Sequence, residues 1–128
     1  MNRHRLAAAH IGVAVGAFGV ASLMGLLQAL SMADVEFTMR SESLYYMAVT
    51  SHGVLMALVF TTFFILGLGY ALIHESLGRL AGARIGWIGF VLAVAGAVAA
   101  AATILTGQST VMYTFYPPLQ AHPLFYIG

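Results

Sequence analysis

Gly53-Val-Leu-Met-Ala-Leu-Val-Phe-Thr-Thr-Phe-Phe-Ile-Leu-Gly-Leu-Gly-Tyr-Ala-Leu-Ile73 runs for 21 residues without a charged side chain. That is about the length an α-helix needs to cross the hydrocarbon core of a bilayer. The residue just before it is His52, preceded by Tyr45-Tyr-Met-Ala-Val-Thr-Ser51. Hydrocarbon does not solvate an ionisable group, so a histidine within a spanning helix marks a candidate functional site.

Working outward, two more runs have spanning length. The three cover about Leu6–Met32, Tyr45–Ile73 and Ile85–Thr106. Of the 128 residues, 61% are hydrophobic and 7% charged, against about a quarter charged in soluble domains. Too little polar surface exists to coat a globule in water. The expected fold is therefore an all-α integral membrane segment of three helices, residues 1–128 forming one unit. The first run follows a basic Met-Asn-Arg-His-Arg start, but its 28 uncharged residues, Leu6–Ala33, exceed the short apolar core of a signal peptide. It reads as a retained span. With no cysteine in the chain, disulfides, cysteine-ligated zinc, iron–sulfur clusters and thiolate nucleophiles are excluded within it. The net charge of +1 gives no sign of a nucleic-acid partner.

The arginines orient the chain. Arg3 and Arg5 precede the first span, and Arg79 and Arg84 lie between the second and third. With three spans these regions share one side. Arg40 alone lies in the opposite loop, beside Asp34, Glu36 and Glu42. Positive charge marks the cytoplasmic side, so the N-terminus is expected inside and residues 107–128 outside. His52 then lies about two turns into its span, near the outer face.

Residues 107–128 form a different kind of sequence. Tyr113, Phe115, Tyr116, Phe125 and Tyr126 suit a membrane interface, and Pro117-Pro118 cannot continue a helix. The expectation is an ordered outer-face segment, with Pro123-Leu-Phe-Tyr-Ile-Gly128 starting a fourth helix of a larger or split protein. Small residues recur every four positions at Gly89, Ala93, Ala97 and Ala101, at Ala17, Ala21 and Gly25, and at Gly12 and Gly16. Such rows let helix backbones approach closely in lipid, within one bundle or, alternatively, in a homodimer.

On a regular helix His52 shares a face with Leu55, Met56 and Val59, and further down with Phe60 and Phe63. That apolar, partly aromatic face suits the edge of a porphyrin, and imidazole is a good axial ligand of haem iron. Gly53 removes bulk beside it. Thr50 and Ser51 can hydrogen-bond locally or orient the ring, and a ligating imidazole needs its second nitrogen hydrogen-bonded. The alternative is a histidine that only hydrogen-bonds across helices. Among the others, His4 reads as solvated and His10 as remote from His52. His74 ends a span near its terminal carbonyls, and His122 reads as a surface residue on the outer side. No phosphate loop, nucleophile–base pair or metal-spaced histidine cluster appears.

Thr50-Ser-His52-Gly-Val-Leu55, with its flanks from Tyr45 to Thr61, resembles the second helix of haem–copper oxidase subunit I. Tyr113-Thr-Phe-Tyr-Pro-Pro-Leu119 is similar to the segment after that family's third helix. The two matches occur in the family's order with one span between them. Leu55-Met-Ala-Leu-Val-Phe-Thr61, His122 and Phe125-Tyr-Ile-Gly128 look closest to the B-type (ba-type) cytochrome c oxidases.

The resemblance implies that His52 is an axial ligand of a low-spin haem of b or a type, with Gly53, Met56 and Tyr116 in its pocket. Tyr113, Pro117 and Pro118 would shape the same outer-face region. It implies the N-terminal portion of a catalytic subunit of about twelve helices in a prokaryotic cell membrane. The partners implied are the rest of subunit I, a copper-carrying subunit II, cytochrome c or another outer-side donor, and the lipid bilayer. The haem–copper centre and the dinuclear copper centre belong to the rest of that complex, which reduces oxygen and pumps protons. A nitric oxide reductase-like subunit and a small non-enzymatic membrane cytochrome are the alternatives.

Overall fold

The computed structural model describes residues 4–33, 41–80, 82–109, 111 and 117–128. The regular structure among them is helical, with no strand. Three helices are long and apolar enough to cross a membrane: Arg5–Met32, Glu42–Leu77 and Ala83–Leu105. The chain is a multi-pass membrane protein. The first span is one helix, α1 (Arg5–Met32). The second is α2 (Glu42–Gly53), a π-helical stretch (Val54–Phe60) and α3 (Thr61–Leu77). The third is α4 (Ala83–Leu105), and a short α5 (Pro123–Ile127) follows.

The second span is longer than its apolar run, because helix continues through Glu42 at one end and Glu75 at the other. Its 36 residues extend about 54 Å at roughly 1.5 Å per residue. A hydrocarbon core of about 30 Å leaves both ends beyond the lipid tails, where carboxylates are hydrated. Glu42 also lies in the first turn of α2, where the helix dipole favours a negative charge.

The π-helical stretch corrects the expected face of His52. A π turn takes more residues than an α turn, so positions after Gly53 rotate away from the α register. Met56 stays with His52, and Ala57 joins them. Leu55 and Val59 turn instead into a separate apolar groove with Ser51 and Val54. Phe60 stacks near Phe18 and Phe64, and Phe63 packs beside His10 and Phe90. Within the stretch Thr61 Oγ1 donates to the Met56 carbonyl, five residues back, at 2.9 Å. In lipid, such a hydroxyl satisfies backbone that an irregular turn would leave bare.

The first and second spans pack closely along small residues. Ala14, Ala17 and Ala21 of α1 are buried. Near the other end, Gly67 of α3 lets α1 approach: a Cβ there would lie 2.8 Å from Ile11 Cγ1 and 3.1 Å from the Ile11 backbone nitrogen. Gly12 and Gly16 meet nothing within 4 Å, so that pair does not pack among the described residues. Across α4 the small residues serve α5, whose following Gly128 lies on Gly96. Phe125 is buried with Val54, Ala100, Ile104 and Val111.

Both ends of the bundle are closed by local chemistry. Gly78 takes φ 64° and returns its N–H to the His74 carbonyl at 2.9 Å, ending α3. A left-handed residue at that position favours glycine. The His4 ring lies 4.8 Å from that of His74, so the start of α1 adjoins the end of α3. At the opposite end, Pro123 opens α5 and His122 Nδ1 accepts from Leu124 N at 3.2 Å. His122, expected at the surface, is exposed and caps a helix.

Candidate functional site

His52 occupies the last full turn of α2 and is half-buried. Its Nδ1 lies 2.8 Å from the backbone carbonyl oxygen of Ala21 in α1. A carbonyl only accepts, so Nδ1 carries the proton and donates. The ring is thereby fixed as the tautomer whose Nε2 holds a lone pair. The side chain rests against Gly25, one turn after Ala21 on α1. A Cβ at Gly25 would stand 2.8 Å from Cε1, 2.9 Å from Nδ1 and 3.5 Å from Nε2 of His52.

The first span thus supplies the orienting contact, and of the two roles open to Thr50 from sequence the local hydrogen bond is the one observed. Thr50 Oγ1 donates to the Tyr46 carbonyl in its own helix at 2.8 Å. Ser51 is buried and lines the other groove. The two residues directly precede His52 in sequence, but a helix turns Ser51 about 100° and Thr50 about 200° away from it.

A groove of about 220 Å³ opens beside the imidazole, lined by Gln28, Val49, His52, Gly53, Met56 and Ala57. Gly53 and Met56, both singled out from sequence, are therefore beside His52. Tyr116, Tyr113 and Phe115 lie outside the described residues. Pro117 and Pro118 are exposed. Gln28 is the polar residue that sequence reading passed over. Its Nε2 donates to Ala48 O of α2 at 3.1 Å and to Met24 O at 3.3 Å, tying the two spans together at the groove. The available signal was an uncharged amide within an apolar run.

The remaining histidines sit elsewhere. His10 is 2% exposed and donates through Nδ1 to Leu6 O at 2.8 Å. Its ring is enclosed by Phe90, Tyr70 and Phe63 at 4.8, 5.1 and 5.6 Å. It lies on α1 itself, 11 and 15 residues before Ala21 and Gly25, about 16 to 22 Å along the helix, so it does not share a ligand with His52. Among the described residues, His74 Nδ1 is buried without a hydrogen-bond partner, and its ring adjoins that of His4. His4 Nε2 stands 4.0 Å from Glu75 Oε1, both side chains well exposed, a pairing of small energetic value. Among the described residues, no three His, Asp or Glu side chains gather to hold a metal ion.

The chemistry of the His52 site suits a flat, apolar group with a coordinating metal: one lone-pair nitrogen, its tautomer fixed from behind, at a groove walled by methyl, thioether and glycine. Comparison with known proteins points the same way. A family model described as cytochrome C and quinol oxidase polypeptide I matches residues 5–128. Cytochrome c oxidase subunit 1 of Thermus thermophilus is 37% identical over 115 residues, which cover 85% of this chain and 20% of the relative. A solved chain from a heme-copper terminal oxidase dimer superposes with a TM-score of 0.89 at 30% identity, over 99% of this chain and 22% of that one. The chain therefore spans about a fifth of the length of the relatives it matches. With a family match across nearly its whole length and the same three-span arrangement in a solved oxidase, the chain belongs to the subunit I family of the cytochrome c and quinol oxidases.

Proposed function

We propose that this chain forms the low-spin haem side of a terminal cytochrome c oxidase's catalytic subunit, with His52 Nε2 as one axial ligand. The observation that carries this reading is the 2.8 Å bond from His52 Nδ1–H to the Ala21 carbonyl. A ligating histidine almost always donates its other nitrogen to such an acceptor, which fixes the tautomer and raises ligand basicity. Gly53 and Met56 form the apolar wall beside the ligand, while the family resemblance alone assigns Tyr116 a role in the same pocket. When bound, haem iron supplies one-electron redox chemistry. The chain's own work is to hold a basic nitrogen at a set depth, exclude water with apolar side chains, and keep the ring oriented through α1.

In this reading the full-length subunit reduces oxygen at a haem–copper centre and couples the reaction to proton pumping. Ligands for the active-site copper come from parts of that subunit outside this chain. Its partners are the remainder of subunit I, a copper-carrying subunit II and an outer-side donor such as cytochrome c. The cluster of Arg5, Arg79 and Arg84 supports an inside N-terminus in a prokaryotic cell membrane, which puts His52 toward the outer face. His52→Ala in the assembled oxidase is expected to remove the low-spin haem absorbance. An unchanged spectrum in that variant would sink the reading.

A further inference from the structure

We propose that Gly25 is a positioning residue that sets the plane of the His52 imidazole, so that the first span controls the electronic character of a ligand carried by the second. The inference rests on the reading of His52 as a haem ligand. Two contacts from α1 define the ring. The Ala21 carbonyl takes the Nδ1 proton at 2.8 Å, fixing the direction of one ring edge. Gly25 admits that same edge: the three atoms nearest its missing Cβ are all imidazole atoms, at 2.8, 2.9 and 3.5 Å. Other glycines of α1 differ. Gly12, Gly16 and Gly19 meet nothing within 4 Å. Glycine also weakens a helix relative to alanine, so at position 25 the steric need has a local cost.

An alanine at position 25 cannot coexist with the present ring. Its Cβ would lie within normal van der Waals distance of Cε1 and Nδ1, so the ring must turn or retreat by several tenths of an ångström. Either movement misaligns Nδ1–H from the Ala21 carbonyl. A weaker hydrogen bond makes the imidazole a poorer donor, which stabilises the oxidised metal less. With haem bound, a turned ring would also shift the low-spin ferric g values.

The test uses the complete oxidase carrying Gly25→Ala, with Gly12→Ala as a control on the same helix and His52→Ala as the test of ligation itself. The expected result is retained haem in Gly25→Ala, a shifted low-spin gmax and a raised midpoint potential, with both unchanged in Gly12→Ala. Full haem content with an unshifted gmax and potential in Gly25→Ala overturns the proposal while leaving ligation intact. Retention of the low-spin haem in His52→Ala instead overturns the underlying reading. If Gly25→Ala does not assemble, unmodified oxidase labelled with 15N-histidine carries the test. Electron–nuclear double resonance should then find a slowly exchanging proton on the remote nitrogen of the ligand, and its absence overturns the proposal.

Discussion

Two histidines in adjacent helices, His10 buried and His52 half-buried, illustrate how environment separates structural from chemical side chains. His10 spends its Nδ1 proton on Leu6 O in its own helix and fills an aromatic enclosure. His52 sends its proton to a different helix and borders a groove. His10→Leu is therefore expected to leave the low-spin haem spectrum unchanged while lowering the thermal stability of the oxidase by about 1–3 kcal/mol, through lost packing. A melting curve and an absorbance spectrum on the same preparation check both halves. Gln28→Leu removes the bond to Ala48 O and is expected to cost about 0.6–1.7 kcal/mol, the range for interhelical hydrogen bonds in membranes. His52 was legible in the sequence because a titratable group in an apolar run is conspicuous. Its seat was not, because Ala21 and Gly25 precede it by about 30 residues and only packing brings them together.

At the scale of elements, the π-helical stretch is what hydropathy could not see. Val54–Phe60 is as apolar as the helix around it, and the difference lies in hydrogen-bond register alone. The widened turn keeps Met56 beside His52 but sends Leu55 and Val59 to the other side. It also lets Phe63 and Gly67 reach α1 while His52 reaches it a few turns earlier. Inserting one alanine after Thr62, where the helix is regular, should rotate Phe63–Leu77 by about 100° relative to His52. The expected outcome is loss of assembled oxidase from the membrane, read by the yield of the purified complex. Thr61→Val, which only removes the hydroxyl from the Met56 carbonyl, should leave assembly intact and cost about 1 kcal/mol in thermal stability.

For the whole molecule, three apolar spans were legible because a membrane imposes length and hydropathy directly on sequence. The Tyr113–Tyr116 stretch lies outside the described residues, while α5 shows that the chain turns helical again after the proline pair. Sidedness follows from the arginines and is open to direct measurement, since the chain has no cysteine of its own. Ser41→Cys and Gln120→Cys should react with an impermeant maleimide added outside intact cells, and Ser76→Cys only after the membrane is opened. The reverse pattern would overturn the orientation. The complete complex should consume oxygen with a reduced cytochrome c donor, and faster turnover of nitric oxide than of oxygen would argue for a reductase instead.

The acceptor for His52 is a backbone carbonyl, and that has a consequence for how this site tolerates sequence drift. No point substitution at position 21 deletes the acceptor oxygen, as a change to a side-chain acceptor would. Any small residue that keeps α1 in place preserves it. The protonation form of the imidazole is thus inherited with the helix pair itself, and variation can proceed at position 21 while the glycine four residues later stays under steric constraint.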